Sequence, residues 1–293
     1  MPAAEPLRAR LLAGRTVHWG SWISLCSLPV VDALRDLPFD WLVIDTEHSP
    51  VDPERVAAMV ALLRAAGPSP LVRVGGLDPH AIKRALDAGA EGIVVPLVDR
   101  PEEAGQAVAF AKYPPQGIRG AAATAASRYG RDLPRSLRHA NDETLVAVQI
   151  ETAGGLAHAD EIAAVPGVDV LFVGPQDLAM GLGEVDRRSG PVVREAMARV
   201  VRACEAHGKV PGTMAIDRAE RDAAVALGFR FVSLASDLRF LLDGARALLP
   251  GAPRRDAADQ EPSQEAREES RPSAAPQHRA SAARAERSAS EGP

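Results

Sequence analysis

Short apolar, β-branched runs alternate along most of this 293-residue chain with longer stretches whose apolar residues recur every three or four positions. The runs are His18–Ser24, Trp41–Asp45, Leu71–Val74, Gly92–Leu97, Leu145–Ile150, Val170–Val173, Val210–Met214 and Phe231–Ala235. Between them Val51–Ala66, Pro79–Ala88, Glu102–Lys112, Pro191–His207 and Asp217–Leu227 carry the helical period, several with Pro or Asp at the start and Gly after the end. A strand followed by a covering helix is the parallel βα unit. Eight such units in about 250 residues predict an α/β fold closed as a (β/α)8 TIM barrel. An open doubly wound sheet shares the alternation and is the second architecture. Neither G-x-G-x-x-G after a strand nor G-x-x-x-x-G-K-[ST] occurs, so the dinucleotide and Walker phosphate cradles are excluded.

The pattern stops at Pro250. Residues 251–293 contain no Val, Ile, Leu, Met or aromatic side chain, and their seven Arg nearly balance eight Asp plus Glu. Such a segment cannot bury enough apolar surface to offset its ordering, so the expected organisation is a barrel domain over 1–250 and a disordered tail over 251–293. A net charge of −5 supplies no basic field for a phosphate backbone. No apolar run nears the roughly 18 residues of a membrane span, and Met1–Glu5 lacks a basic flank leading into an apolar core. Cys26 and Cys204 make neither a disulfide framework nor a C-x-x-C metal spacing. The expectation is a cytoplasmic enzyme of small molecules, with neither nucleic acid nor membrane as a partner.

In a parallel α/β barrel, chemistry collects where strands run out into the following loops. The second run ends Asp45-Thr46-Glu47-His48, three ionisable groups in four positions. His48 is a candidate proton carrier, since imidazole titrates near neutrality and nearby carboxylates raise its basicity. Arg73 stands inside an apolar run, where a guanidinium must face a carboxylate, a ligand or water. Asp87 falls near the end of the next helix, where the dipole disfavours a carboxylate and a cationic partner is a gain. Gln149 and Glu151 lie two apart and therefore on one side of a strand. The sixth run leads into Gly174-Pro175-Gln176-Asp177. If those two strands are neighbours, Glu151 and Asp177 can reach one ion, and two carboxylates without Cys or His describe a hard-cation site for magnesium, manganese or a similar ion. Gly174-Pro175 offers a bent backbone with little side chain, which can bring amides close to a ligand carboxylate.

Lysine is scarce. Lys83 and Lys112 fall in helical stretches, and Lys209 precedes the seventh run, so no lysine sits inside a strand where an imine mechanism needs it. Metal activation of a carbonyl is the expected replacement.

With these motifs in this order, the chain resembles the HpcH/HpaI aldolases, the metal-dependent class II pyruvate aldolases, over roughly residues 5–249. The matching stretches are Trp41–Pro50, Leu71–Arg73, Ile82–Ala90, Val94–Pro96, Tyr113–Gly120, Gln149–Thr152 and Phe172–Leu178. The resemblance implies a phosphoenolpyruvate/pyruvate-type barrel that cleaves a 4-hydroxy-2-keto acid reversibly to pyruvate and an aldehyde through a metal-bound pyruvate enolate. It implies Glu151 and Asp177 as ligands of Mg2+, Mn2+ or Co2+, His48 as general base, Asp87 as the group raising that histidine's basicity, and Arg73 as the stabiliser of the transition state. Gln149, Gly174, Pro175, Gln176 and Asp177 are implied substrate contacts. A homo-oligomer, commonly a hexamer, is implied as well, with the aldehyde read by residues 121–131 and by a neighbouring subunit. Glu184–Pro191 departs from the family in lacking the histidine-proline pair often seen there. The alternative readings are a CoA-thioester lyase, an oxaloacetate decarboxylase and a non-catalytic keto-acid-binding barrel.

Overall fold

The computed structural model describes residues 5–250; the tail expected over 251–293 lies outside the described residues. The chain divides into two units, Met1–Gly244 and Ala245–Pro293, of which the first contains the barrel. Its strands are β1 (His18–Ile23), β2 (Trp41–Asp45), β3 (Ser69–Arg73), β4 (Gly92–Val95), β5 (Leu145–Ile150), β6 (Val170–Val173), β7 (Val210–Ala215) and β8 (Phe231–Ser236). Each pairs in parallel with the next, and β8 returns to β1. The sheet is closed, which decides between the two architectures. The helices are α1 (Leu7–Ala13), α2 (Leu28–Leu34), α3 (Pro53–Ala66), α4 (Pro79–Asp87), α5 (Pro101–Ala111) and α6 (Leu133–Glu143). They continue with α7 (Ala153–Ala157), α8 (Ala159–Ala164), α9 (Pro175–Gly181), α10 (Pro191–Ala206), α11 (Arg218–Leu227) and α12 (Asp237–Leu248).

Local chemistry explains the helix starts. Asp52, Asp78 and Asp217 accept from the backbone N–H of Arg55, His80 and Glu220 at 2.8, 2.9 and 2.8 Å, each satisfying a donor that the first turn leaves without a partner. Proline opens α3, α4, α5, α9 and α10, where its missing N–H costs nothing.

Strand residues divide by parity into two cores. Ile23, Leu42, Ile44, Val72, Ile93 and Val148 face outward against the covering helices. Trp22, Trp41, Val43, Leu71, Val94, Phe172 and Phe231 fill the barrel, with Leu7 and Leu11 of α1 packed against them. Trp41 and Phe231 stack with centroids 3.9 Å apart and planes 6° off parallel. That stack requires glycine at position 20, since a Cβ there would meet the Trp41 ring at 2.1 Å.

The boundaries differ from the sequence reading where backbone geometry intervenes. β3 starts at Ser69, two residues early, because Pro70 needs only its carbonyl, which accepts from the N–H of Glu91. β4 ends at Val95 rather than Leu97, since Pro96 has no donor and Leu97 turns to a φ of 54°. Asp177, expected as the carboxylate at the end of the sixth strand, lies in the first turn of α9.

Candidate active site

Asp45 and Arg73 are register partners at the last positions of β2 and β3, and both are buried. Arg73 Nε and Nη2 donate to Asp45 Oδ1 and Oδ2 at 3.0 and 2.7 Å, while Nη1 lies 3.1 Å from Glu47 Oε2. Below the guanidinium, the Trp22 ring stands 4.5 Å from Cζ. Two of the five N–H groups are committed to hydrogen bonds in this way, and Glu47 stands beside Nη1 as an ion-pair partner without a hydrogen bond. Asp45 does more than neutralise the arginine. Its Oδ1 also accepts from the backbone N–H of Glu47 and His48, at 3.0 and 3.3 Å, and so shapes the turn that presents His48. The imidazole is 67% exposed, with Nε2 at 3.9 Å from Glu47 Oε2. Burial raises the Glu47 carboxyl above its ordinary pKa, against the lowering pull of Arg73.

β5 and β6 are neighbours, as the carboxylate pair requires. Glu151 is buried just past β5; its Oε1 accepts from the Leu97 N–H at 2.8 Å and its Oε2 from Gln149 Nε2 at 2.7 Å. The left-handed turn at Leu97 thus supplies a donor that strand periodicity does not reveal. Burial, reinforced by repulsion from Asp177 and Glu47, pushes the Glu151 carboxyl up to about 7. At Gly174 the backbone runs between the two acids: a Cβ built there would lie 3.0 Å from Glu151 Oε2 and 3.4 Å from Asp177 Oδ2.

This donor set fits a hard divalent cation. It consists of oxygens alone, its mutual repulsion is relieved by positive charge, and the missing side chain at Gly174 leaves space between the carboxylates. The buried Gln149 Oε1 beside them has no hydrogen-bond partner. Among the described residues no three His, Cys, Asp or Glu side chains converge to enclose an ion, so such a site is open to water and substrate oxygens.

A cavity of about 280 Å³ lies over these groups, lined by His48, Arg73, Gln149, Gly174, Pro175, Gln176 and Asp177 among others. Of the sequence-predicted residues, Glu151 lies behind this lining, hydrogen-bonded to Gln149, and Asp87 stands apart. Asp87, at the end of α4, pairs with Arg119 at 2.9 Å. The dipole penalty is answered by that cation, and the His48–Asp87 contact implied by the resemblance does not form within the described residues. Gln176 spends its amide on the Val185 carbonyl at 3.3 Å, tying α9 to the following connection. Sequence reasoning missed Trp22, Arg188 and Ser236, which also line the cavity. The inward parity of β1 could have revealed Trp22; Arg188, in an irregular connection, carried no periodic signal.

Residues 19–243 match the family model described as HpcH/HpaI aldolase/citrate lyase. The chain is 39% identical over 239 residues to a hydroxypyruvate/pyruvate aldolase of Deinococcus radiodurans, covering 81% of this chain and 86% of that one. It is 36% identical over 250 residues to a 2-dehydro-3,6-dideoxy-6-sulfogluconate aldolase of Pseudomonas putida, covering 85% and 98%. The crystal structure of an HpcH/HpaI aldolase/citrate lyase family protein from Burkholderia cenocepacia superposes with a TM-score of 0.79 at 38% identity, covering 82% of this chain and 96% of that one.

Proposed function

The chain belongs to the HpcH/HpaI aldolase/citrate lyase family, and from that premise we propose that it cleaves a 4-hydroxy-2-keto acid reversibly to pyruvate and an aldehyde. The observation that carries this reading is the convergence of one exposed imidazole, one clamped guanidinium and the Asp177 carboxylate on a single cavity, with the buried Glu151 carboxylate hydrogen-bonded to Gln149 of its wall. Glu151 and Asp177 would hold the divalent ion, Mg2+, Mn2+ or Co2+, which when bound supplies Lewis acidity at the substrate's keto oxygen.

The chain's own residues account for the remaining steps. Arg73 offers its uncommitted N–H groups on Nη1 and Nη2 to the charge that develops on the keto oxygen as the C3–C4 bond breaks. Because Asp45 and Glu47 already balance its charge, it acts as an oriented donor more than as a net cation. His48 accepts the proton of the 4-hydroxyl, the bond electrons pass toward C3 and the keto oxygen, and the aldehyde leaves; protonation at C3 completes pyruvate. In the addition direction His48 returns the proton to the aldehyde oxygen. Within the chain the carboxylate beside His48 is Glu47, while Asp87 of the same chain is paired with Arg119. Gln149, Gly174, Pro175, Gln176 and Asp177 are assigned to the pyruvyl end.

A cytoplasmic setting is proposed on the two unpaired cysteines; among the described residues no helix is long and apolar enough to cross a membrane. A homo-oligomer is proposed on the exposed leucines of α12, Leu238, Leu241 and Leu242.

The test is pyruvate release from a panel of 4-hydroxy-2-keto acids, coupled to lactate dehydrogenase, first in EDTA and then with Mg2+, Mn2+ or Co2+ restored. Cleavage that is lost with chelation and recovered with metal is the expected result; no cleavage with any metal overturns the reading.

A further inference from the structure

Asp237, the first residue of α12, is a buried carboxylate that the chemistry proposed above does not use. Backbone N–H groups take both of its oxygens: Oδ1 accepts from Ser24 and Leu238 at 2.9 and 2.8 Å, and Oδ2 accepts from Leu25 at 3.0 Å. Two of these donors belong to the connection between β1 and α2, so a carboxylate just past β8 holds the turn that leaves β1. Hydrogen bonds to an ionised acceptor are about twice as strong as neutral ones. That turn needs such a fastener, because Cys26 within it takes a φ of 49°, a left-handed conformation that a residue with a Cβ keeps only where its surroundings dictate it. On its other side the turn meets the segment of His48. The Ser24 carbonyl accepts from Ser49 Oγ at 2.8 Å, and Cys26 Sγ lies 3.8 Å from the Asp45 carbonyl. His48 is therefore anchored on both flanks, by Asp45 at its own N–H and by Ser49 behind it. The imidazole itself is exposed, so its placement depends on the backbone that carries it.

We infer that Asp237 is a positioning residue for His48, acting through Ser24 and Ser49. The relay joins three segments that the sequence keeps far apart, the ends of β8, β1 and β2, and it runs along the cavity wall, which Ser24 and Ser236 line. Its effect on rate rests on the reading of His48 as the proton carrier, whereas the mechanical coupling follows from the hydrogen bonds alone. A misplacement of about 1 Å at a reacting group can cost about 10²-fold in rate. Proton transfer from the 4-hydroxyl is therefore the step that a slack turn would slow, while the carboxylates on β5 and α9 keep their own supports.

The test cuts the relay at either end in the full-length protein. Ser49→Ala removes the last link and leaves the buried carboxylate in place, Asp237→Asn breaks the source, and Ser49→Thr restores the hydroxyl. Amide hydrogen exchange, read by mass spectrometry, is expected to rise about tenfold or more across residues 46–49 in Ser49→Ala and Asp237→Asn, and to stay near wild type in Ser49→Thr. Residues 145–151 should exchange as in wild type in all three. The kcat for cleavage is expected to fall about 10- to 100-fold in Ser49→Ala and Asp237→Asn, with KM and the metal requirement little changed. The ratio of lost cleavage to lost exchange of pyruvate methyl protons should match that of His48→Ala, because the same group is disturbed. The double variant should be no slower than the slower single one, since one relay is broken twice. Unchanged amide exchange around His48 in Ser49→Ala overturns the inference, as does a rate loss that multiplies in the double variant or falls on KM. Should Asp237→Asn fail to fold, Ser49→Ala and Ser49→Thr decide the matter by themselves. If amide exchange responds as expected while His48→Ala cleaves as fast as wild type, the coupling stands and the proton-carrier reading of His48 falls.

Discussion

Asp45 grips Arg73 with both carboxylate oxygens while one of them also receives the backbone N–H groups of Glu47 and His48. The ends of two neighbouring strands are thereby locked together, and the proposed donor and proton carrier share one anchor.

Substitution of the anchor should therefore damage both functions at once. Asp45→Asn removes a partner from a buried ion pair, and we expect a stability loss of about 3 kcal/mol or more, together with a fall in kcat of at least ~10²-fold. Arg73→Lys keeps the charge but cannot span Asp45 and Glu47, so it should fold normally with a comparable loss of kcat. Chemical denaturation and steady-state cleavage rates distinguish the two outcomes; wild-type turnover in Arg73→Lys would remove the arginine from the reaction.

Glu151→Gln and Asp177→Asn should each abolish metal-restored cleavage without unfolding the barrel, because each removes half of a two-carboxylate site. Circular dichroism and the lactate dehydrogenase assay after chelation give the readout. Full activity in either variant on re-addition of metal would show that the ion is held elsewhere.

Gly174→Ala tests the same site by occupation instead of charge. The backbone there is extended, with φ −87° and ψ 98°, which alanine adopts without strain, yet its methyl would stand 3.0 Å from Glu151 Oε2. The expected effect is a metal concentration for half-maximal activity raised about tenfold or more, with thermal stability little changed. An unaltered metal requirement would place the ion away from Gly174.

His48→Ala should lower the rate of C–C cleavage by about 10²- to 10⁴-fold, and by more than it lowers the slow exchange of pyruvate methyl protons with deuterated solvent. Equal loss in both, followed by NMR, would mean that His48 serves every proton transfer.

Lys112 gives a pH prediction outside the site. Its ammonium is buried against the carbonyls of Asn141 and Thr144, both at 2.6 Å, and burial lowers its pKa to about 8 from 10.5. Above about 8 the native state releases this proton while the unfolded chain still holds it, so the unfolded chain binds more protons and stability rises with pH until the unfolded group titrates. Wild type should gain on Lys112→Met between pH 8 and 10.5, by an amount on the order of 3 kcal/mol at most. A pH-independent difference between the two unfolding free energies would contradict this.

The barrel was legible because strand and helix periods are local: eight runs and their covering helices can be read from spacing alone, whereas closure, which an open sheet of the same alternation lacks, is settled by the pairing of β8 with β1. The site was legible where chemistry interrupts an apolar strand, as at Arg73, Gln149 and Glu151. What stayed hidden depends on relations between distant segments. Leu97 reaches Glu151 only because its backbone turns left-handed after Pro96; Glu220 holds Arg188 across 32 positions; and Asp87 meets Arg119 although either residue alone is an ordinary charge on a helix or loop.

Glu220 and Gln176 fasten the Arg188 connection at its two ends, and Gln176 is at the same time the chain neighbour of Asp177 in the first turn of α9. The turn that presents Asp177 and the connection that follows it are thus mechanically one piece. A change between Leu182 and Pro191 is therefore expected to reach Asp177 through the Gln176–Val185 hydrogen bond instead of staying at the rim of the cavity.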